Sequence, residues 1–198
     1  MKCAECGDKR CYTGKDCAGL ADEAREQYRD EQTLAMTRVA TRLEGRYYMQ
    51  LCRLEELVRF CREMGYRRLG IAFCIGLSDE ARVLAELLGK RFEVESVCCK
   101  VTGLNKEELG LEKIQPDRVE AMCNPVAQAM VLNRAQTDLN IILGLCIGHD
   151  IIFTRHSEAP VTTLVVKDRV LAHNPAGALC SGYWRKRIAR ELEDNDQA

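Results

Sequence analysis

Leu139-Asn140-Ile141-Ile142-Leu143-Gly144-Leu145-Cys146-Ile147-Gly148-His149-Asp150 is the stretch whose reading decides the fold. It is apolar almost without break up to Leu145, as a parallel strand must be when helices cover both of its faces. It closes in Cys-Ile-Gly-His-Asp, where a helix is expected to begin. Cys146 is therefore predicted at the carboxyl end of a strand and beside a helix N-terminus. Ligands bind at that edge of open α/β sheets, and the positive end of a helix favours thiolate over thiol. Taken alone, Cys146 reads equally well as a small buried hydrophobe.

Recurrence favours the functional reading. Leu69-Gly70-Ile71-Ala72-Phe73-Cys74-Ile75-Gly76 repeats the pattern, and Ser78-Asp79-Glu80 then supplies an N-cap and an acidic first turn. Cys123-Asn124-Pro125 pairs an N-cap with a proline at the first helical position. Cys98-Cys99 closes the run Phe92–Val97, and Cys99 lies nearer the end of that strand. In a doubly wound sheet these places share one edge. Cys74, Cys123, Cys146 and one of Cys98 or Cys99, with Cys99 favoured, are thus expected to line a common pocket as metal ligands, with His149 at its rim. His149 is expected to ligate metal or move a proton, and Asp150 to orient its ring or favour the helix start. Lys100 reads either as a partner of the thiolates or as a surface lysine. His156 and His173 have weaker claims.

Alternation of strand and helix between Leu69 and Val166 calls for an α/β fold, a mostly parallel sheet with helices on both faces. Strands are expected at Leu69–Phe73, Phe92–Val97, Leu139–Leu145 and Val161–Val166. Helices are expected at Asp79–Leu88, from Pro125 to about Ala135, through Phe153, and from Asn174-Pro175. Lys167-Asp168 is read as a hairpin turn leading into Arg169–Ala172, which would carry His173 to the opposite edge of the sheet. The Gly- and charge-rich excursion from Lys100 to Val119 is read as a lid. Residues 20–64 show helical spacing, with a break near Gly45 and an end at Gly65. Cys52, Cys61 and Cys180 are assigned to helix packing. From Glu191 onward the tail is expected to fray.

Ahead of these helices stand Cys3, Cys6, Cys11 and Cys17, a C-x2-C-x4-C-x5-C array in a segment too short and polar to form a core. Four thiolates on one metal would give it a reason to be ordered. The spacing is near a zinc knuckle and also compatible with an iron–sulfur cluster. The expected organisation is a knuckle over 1–18 and a single α/β domain over 19–198 that includes the helices of 20–64.

The chain has 198 residues, a net charge of −1 and 12 cysteines. Nothing globally basic recommends a nucleic-acid partner. No run is long enough for a membrane span, and Met1–Cys6 offers no signal-peptide core, so a cytoplasmic location is expected. Cytosolic cysteines in such number serve metals or catalysis more often than disulfides. A G-x-G-x-x-G turn, a Walker loop and a G-x-S-x-G elbow are all absent.

Several further stretches are distinctive: Cys11-Tyr12 with Gly14-Lys15-Asp16-Cys17, Cys98-Cys99-Lys100-Val101, Cys123-Asn124-Pro125 with Gln128-Ala129, and Thr137-Asp138-Leu139-Asn140. Gly144–Asp150, Ala159-Pro160-Val161-Thr162, Lys167-Asp168-Arg169-Val170-Leu171 and His173-Asn174-Pro175 complete the set. Together they resemble a cysteine-rich family of uncharacterised metal-binding proteins from anaerobic bacteria and archaea, over essentially the whole chain. The resemblance implies metal binding in a reducing cytoplasm and carries no assigned reaction.

Three functions fit these residues. In the first, an iron–sulfur or redox protein passes electrons from the N-terminal site to a substrate or electron-transfer partner at the strand-end cysteines. In the second, a zinc-knuckle protein captures a metal, metallocofactor or small anion without turnover. In the third, a thiol enzyme uses Cys146 as nucleophile and His149 as base.

Overall fold

The structure is a computed structural model and describes residues 1–194; the last four residues of the predicted frayed tail lie outside the described residues. The chain divides into two compact units, Met1–Met64 and Gly65–Ala198.

In the first unit two short 3-10 turns, Cys3–Glu5 and Arg10–Thr13, precede helices α1 (Ala21–Gln27), α2 (Glu31–Tyr47) and α3 (Arg53–Glu63). Asp30 caps α2, its carboxylate accepting from Thr33 N–H at 2.7 Å. α2 runs through Gly45 and ends two residues on, at Tyr47, so the break expected near Gly45 falls over residues 48–52 before α3. Arg42 pairs with Glu63 at 3.0 Å between α2 and α3. Cys61 is fully buried, as expected. Cys52 is exposed, contrary to expectation: it is the N-cap of α3, where Glu55 accepts from its N–H at 2.8 Å.

The second unit holds a four-stranded sheet, β1 (Arg68–Phe73), β2 (Glu93–Cys98), β3 (Leu139–Leu143) and β4 (Val161–Val165), in the order β2-β1-β3-β4. All pairings are parallel. Every residue of β3 is buried, which is why its sequence is nearly all apolar. The connections carry α4 (Ser78–Leu88), α5 (Pro125–Arg134) and α6 (His149–His156). The chain steps outward from β1 to β2, returns across β1 to β3, and continues to β4. Right-handed crossovers then place α4 on one face and α5 with α6 on the other; α5 and α6 do pack together. The α5/α6 face buries Ala72, Val97, Ile142, Ala129, Leu132, Leu145 and Phe153 in one cluster. Alternation along the strands turns Ile71, Ile141 and Leu143 to the other face. The winding reverses between β1 and β3, and this is the switch point where such sheets bind ligands.

A buried polar chain lies on the α5 side of the sheet. Thr137 Oγ1 donates to Asn140 Oδ1 at 2.8 Å, and Asn140 Nδ2 donates to Ser157 Oγ at 2.8 Å. Gly70 is Asn140's register partner, and a Cβ there would lie 2.0 Å from Asn140 Oδ1. The glycine is required by this close approach.

Three local expectations are corrected. Ser78 is the first residue of α4 and not its cap; its hydroxyl donates to Ile75 C=O at 2.6 Å. No hairpin follows β4. Asp168 Oδ1 accepts from Val170 N–H and Leu171 N–H at 2.9 and 2.7 Å, and this side-chain turn replaces a strand. Residues 167–173 therefore stay at the carboxyl end of β4, and His173 is not carried to the far edge. Two helices, α7 (Ala176–Cys180) and α8 (Gly182–Asp194), follow in place of one. Cys180 ends α7 exposed and not packed. Glu191 to Asp194 continue α8. Among the described residues no helix is long and apolar enough to cross a membrane.

Candidate functional site

The carboxyl ends of the strands carry the candidate site. Register pairs Phe73 with Cys98 on one side and with Leu143 on the other, so Cys74, Cys99 and Gly144 leave the sheet side by side. The edge is held by backbone bonds: Cys99 N–H donates to Phe73 C=O at 2.9 Å, and Cys74 N–H to Leu143 C=O at 3.2 Å. Gln128, fully buried on α5, donates from Nε2 to both Phe73 C=O (3.1 Å) and Val97 C=O (2.7 Å). One side chain thereby fastens the ends of β1 and β2 just before their cysteines.

Cys123 reaches this edge by a different route. The excursion after Cys99 folds back on itself, with an antiparallel bridge between Asn105 and Ala121. Lys106 pairs with Glu120 at 2.8 Å, and Met122 N–H donates to Leu104 C=O at 2.8 Å. This stem returns the chain to its start, where Asn124 N–H donates to Cys99 C=O at 2.8 Å. Asn124 then caps α5, accepting from Ala127 N–H at 2.9 Å, with Pro125 opening the helix as the sequence predicted. The excursion predicted as a lid closes on its own stem and sets Cys123 against Cys99.

Those two thiols are hydrogen-bonded. Cys99 is buried and also accepts from Ile75 N–H at 3.4 Å. Its thiol is pushed up from the ordinary value, chiefly by the bond to Cys123 and then by burial. Cys123 is half-buried and moves the other way, down to about 5. The bond from Cys99 is the largest cause, and the charge and hydrogen bond of Lys100 and the charge of His149 add to it. The two thiols titrate as a pair, with Cys123 pushed toward thiolate and Cys99 toward thiol.

Cys146 lies at the start of α6, where its C=O accepts from His149 N–H at 3.0 Å and Asp150 N–H at 3.2 Å. Its sulfur accepts from Arg169 Nη2 at 3.0 Å. That bond raises the Arg169 guanidinium above its ordinary value, and the sulfurs of Cys74 and Cys123 contribute through their charge. Lys100 Nζ donates to Ala121 C=O at 2.5 Å beside Cys123. A Cβ on Gly76 would lie 3.2 Å from Lys167 Nζ and 4.0 Å from Cys74 Sγ, which puts Lys167 at the same place.

Cys74, Cys99, Cys123, Cys146, His149 and Lys100 therefore share one neighbourhood. Cys98 pairs with Phe73 within the sheet, one residue before Cys99. Asp150 accepts from Ile151 N–H at 2.8 Å, His156 C=O accepts from Asn133 Nδ2 at 2.9 Å, and His173 Nδ1 accepts from Asp168 N–H at 3.1 Å. Arg169 and Lys167 were missed in the sequence reading. Their signal was the Asp-x-x turn of Asp168, which was read as part of a hairpin.

At the N-terminus Cys3, Cys6, Cys11 and Cys17 are all exposed. Cys6 Sγ donates to Asp8 Oδ1 at 3.5 Å, and Cys11 Sγ to Lys9 C=O at 3.8 Å. The donor chemistry of this set suits a soft metal, but its placement does not yet make a site. Among the described residues, no group of three or more His, Cys, Asp or Glu side chains is arranged to hold a metal ion, here or in the crevice.

Fold and site define an open parallel α/β protein with a cysteine crevice at its switch point. The chain belongs to the family described as "Protein of unknown function (DUF1847)", which matches residues 11–164. It is 52% identical over 189 residues to "Uncharacterized protein MJ0455" of Methanocaldococcus jannaschii, an alignment covering 95% of this chain and 98% of that protein. An uncharacterised family with archaeal members is what the motifs implied. No solved structure matches the chain.

Proposed function

We propose that this protein is a thiol redox protein whose working pair is Cys99 and Cys123. The observation that carries the reading is the placement of a half-buried Cys123 against a buried Cys99, fixed by the Asn124 N–H bond to Cys99 C=O, with Cys123 pushed toward thiolate and Cys99 toward thiol. Dithiol chemistry needs this asymmetry: an accessible thiolate that attacks and a protected thiol that resolves. Cys123 Sγ attacks one sulfur of a substrate disulfide; that S–S bond breaks and its electron pair leaves with the other sulfur. Cys99 gives its proton to the departing thiolate. Its own sulfur then attacks Cys123 Sγ, and the second substrate sulfur leaves and takes a proton from solvent. One substrate disulfide becomes two thiols, and the protein ends with a Cys99–Cys123 disulfide. Incubation with oxidised glutathione, followed by peptide mapping without reductant, tests this. A Cys99–Cys123 linkage that Cys123→Ser abolishes is expected. Oxidation elsewhere with both thiols left free would overturn the reading.

A second reading concerns residues 1–20, every one of which is exposed. Four thiols in a segment without a core support a zinc or iron–sulfur centre on Cys3, Cys6, Cys11 and Cys17. Binding would draw the thiols together, since small metal sites form along with their fold. Metal and sulfide analysis of anaerobically purified protein tests it. Bound iron with sulfide, or stoichiometric zinc, that is lost in Cys6→Ser supports the reading; protein free of both overturns it.

A further inference from the structure

The dithiol reading uses one cation of the site, Lys100, whose charge and hydrogen bond favour the Cys123 thiolate, and leaves Arg169 and Lys167 unexplained. Arg169 and Lys167 come from the loop after β4, and Lys100 from the stem of the excursion. Among the described residues none of the three is paired with a carboxylate, whereas Arg68, Lys106 and Lys113 all are. Two thiols need no such number of cations, and unpaired positive charge at a ligand-binding edge calls for a negative ligand.

We infer that the crevice selects small anionic disulfides, whose carboxylate or sulfonate groups are taken by Arg169 and Lys167 while Cys123 attacks the sulfur. This rests on the dithiol reading above. Arg169 presents five N–H donors in a planar fork, and the contact with Cys146 comes from its Nη2. The remaining edge matches a carboxylate or sulfonate with two parallel bonds. The loop that carries it is pinned from both ends. Asp168 binds the N–H groups of Val170 and Leu171, His173 N–H donates to Asp168 C=O at 2.9 Å, and Asp168 N–H donates to His173 Nδ1 at 3.1 Å. A guanidinium held this way loses little freedom on binding. Lys167 Nζ stands over Gly76, 3.2 Å from where a Cβ would lie, on the same side as Cys74.

The test compares three reagents on the full chain: dithiobis(nitrobenzoate), a dianion; dipyridyl disulfide, which is neutral; and cystamine, a dication. The readout is the rate of Cys99–Cys123 disulfide formation, each rate divided by that of the exposed Cys52 with the same reagent. The expected order is dianion, neutral, dication, with about a tenfold preference for the dianion over the neutral reagent, the lower end for a charged cleft. Salt should shrink the preference. Arg169→Gln and Lys167→Gln should each lower the dianion-to-neutral ratio, and Lys90→Gln, in the exposed turn between α4 and β2, should leave it unchanged. Where Arg169→Gln fails to fold, Lys167→Gln and the salt series decide. Equal normalised rates for all three reagents, or a ratio that neither salt nor the variants move, would overturn the inference while the dithiol reading stands. Failure of every reagent to join Cys99 to Cys123 would remove both.

Discussion

Replacing Cys99 with alanine removes the largest cause of the Cys123 thiolate. The ordinary thiol value is 9.0, and Cys123 is held at about 5. At pH 7 that raises the thiolate fraction about 100-fold, but a thiolate of lower basicity is a weaker nucleophile. A Brønsted slope of about 0.45 takes back roughly 60-fold. The rate at pH 7 therefore barely distinguishes Cys123 from an ordinary thiol, and the pH profile is the informative quantity. At pH 6 an ordinary thiol loses a further factor of about ten, while Cys123 loses only about a tenth, giving it an advantage of about fifteenfold. The assay is alkylation by iodoacetamide, a neutral reagent, followed at the Cys123 and Cys180 peptides by mass spectrometry between pH 4.5 and about 9. Wild-type Cys123 should react at a nearly constant rate down to about pH 5.5 and fall below that. In Cys99→Ala the inflection should rise by about one pH unit or more, yet stay under the ordinary 9.0, because Lys100 and His149 remain. A wild-type profile that inflects near that ordinary value, or an inflection unmoved in Cys99→Ala, would refute the account of the pair.

Gly70→Ala should lower the denaturant midpoint by an amount equivalent to about 3 kcal/mol with an unchanged slope, since its Cβ would overlap Asn140 Oδ1 and crowd Leu132 Cδ1 at 2.8 Å. Asn124→Ala should cost about 1 kcal/mol in the same titration, because it removes the cap of α5. It also removes the bond to Thr102, so formation of the Cys99–Cys123 disulfide should slow as well. Asp168→Ala should reproduce the loss of charge selectivity of Arg169→Gln although it deletes a negative charge, because it frees the loop that places the guanidinium. Increased selectivity in Asp168→Ala would show that net charge, and not position, governs the reagent preference.

The parallel sheet was legible because burial on both faces leaves a mark in composition. β1 and β3 are apolar runs ending in Cys-Ile-Gly, and they proved to be the two central strands. β2, at an edge, has half of its residues exposed and carries two glutamates, so its run Phe92–Val97 is not continuously apolar. The caps divide in the same way. Asn124-Pro125 fixes a helix start by two independent local preferences, whereas Ser78 had only one, and a 3-10 turn over Ile75–Leu77 displaced it. The loop after β4 failed for a similar reason: Val170-Leu171 reads as strand, but Asp168 binds the backbone locally and no neighbouring strand competes for it.

The site divides along the same line between what is local and what is not. A cysteine one to three residues beyond a strand is placed by the strand, so Cys74, Cys99 and Cys146 could be assigned to one edge from sequence alone, and the helix start at Asn124-Pro125 assigned Cys123 there with them. Cys123 lies 24 positions from Cys99 in number, and nothing between them announces that Lys106–Glu120 and Asn105–Ala121 close the excursion and bring it home. The cations were still further from view. Lys100 was weighed because it adjoins Cys99, but Arg169 lies 23 residues from the Cys146 sulfur it touches. Chemistry that depends on soft nucleophiles was readable because cysteine is scarce and its positions stand out. The choice of substrate rests on lysines and arginines, of which the chain has 29, and only the fold says which of them face the thiolates. In Cys99→Ala the thiol chemistry is at stake, and in Asp168→Ala the selectivity; if the two variants failed in the same way, the division between reacting sulfurs and selecting cations would be wrong.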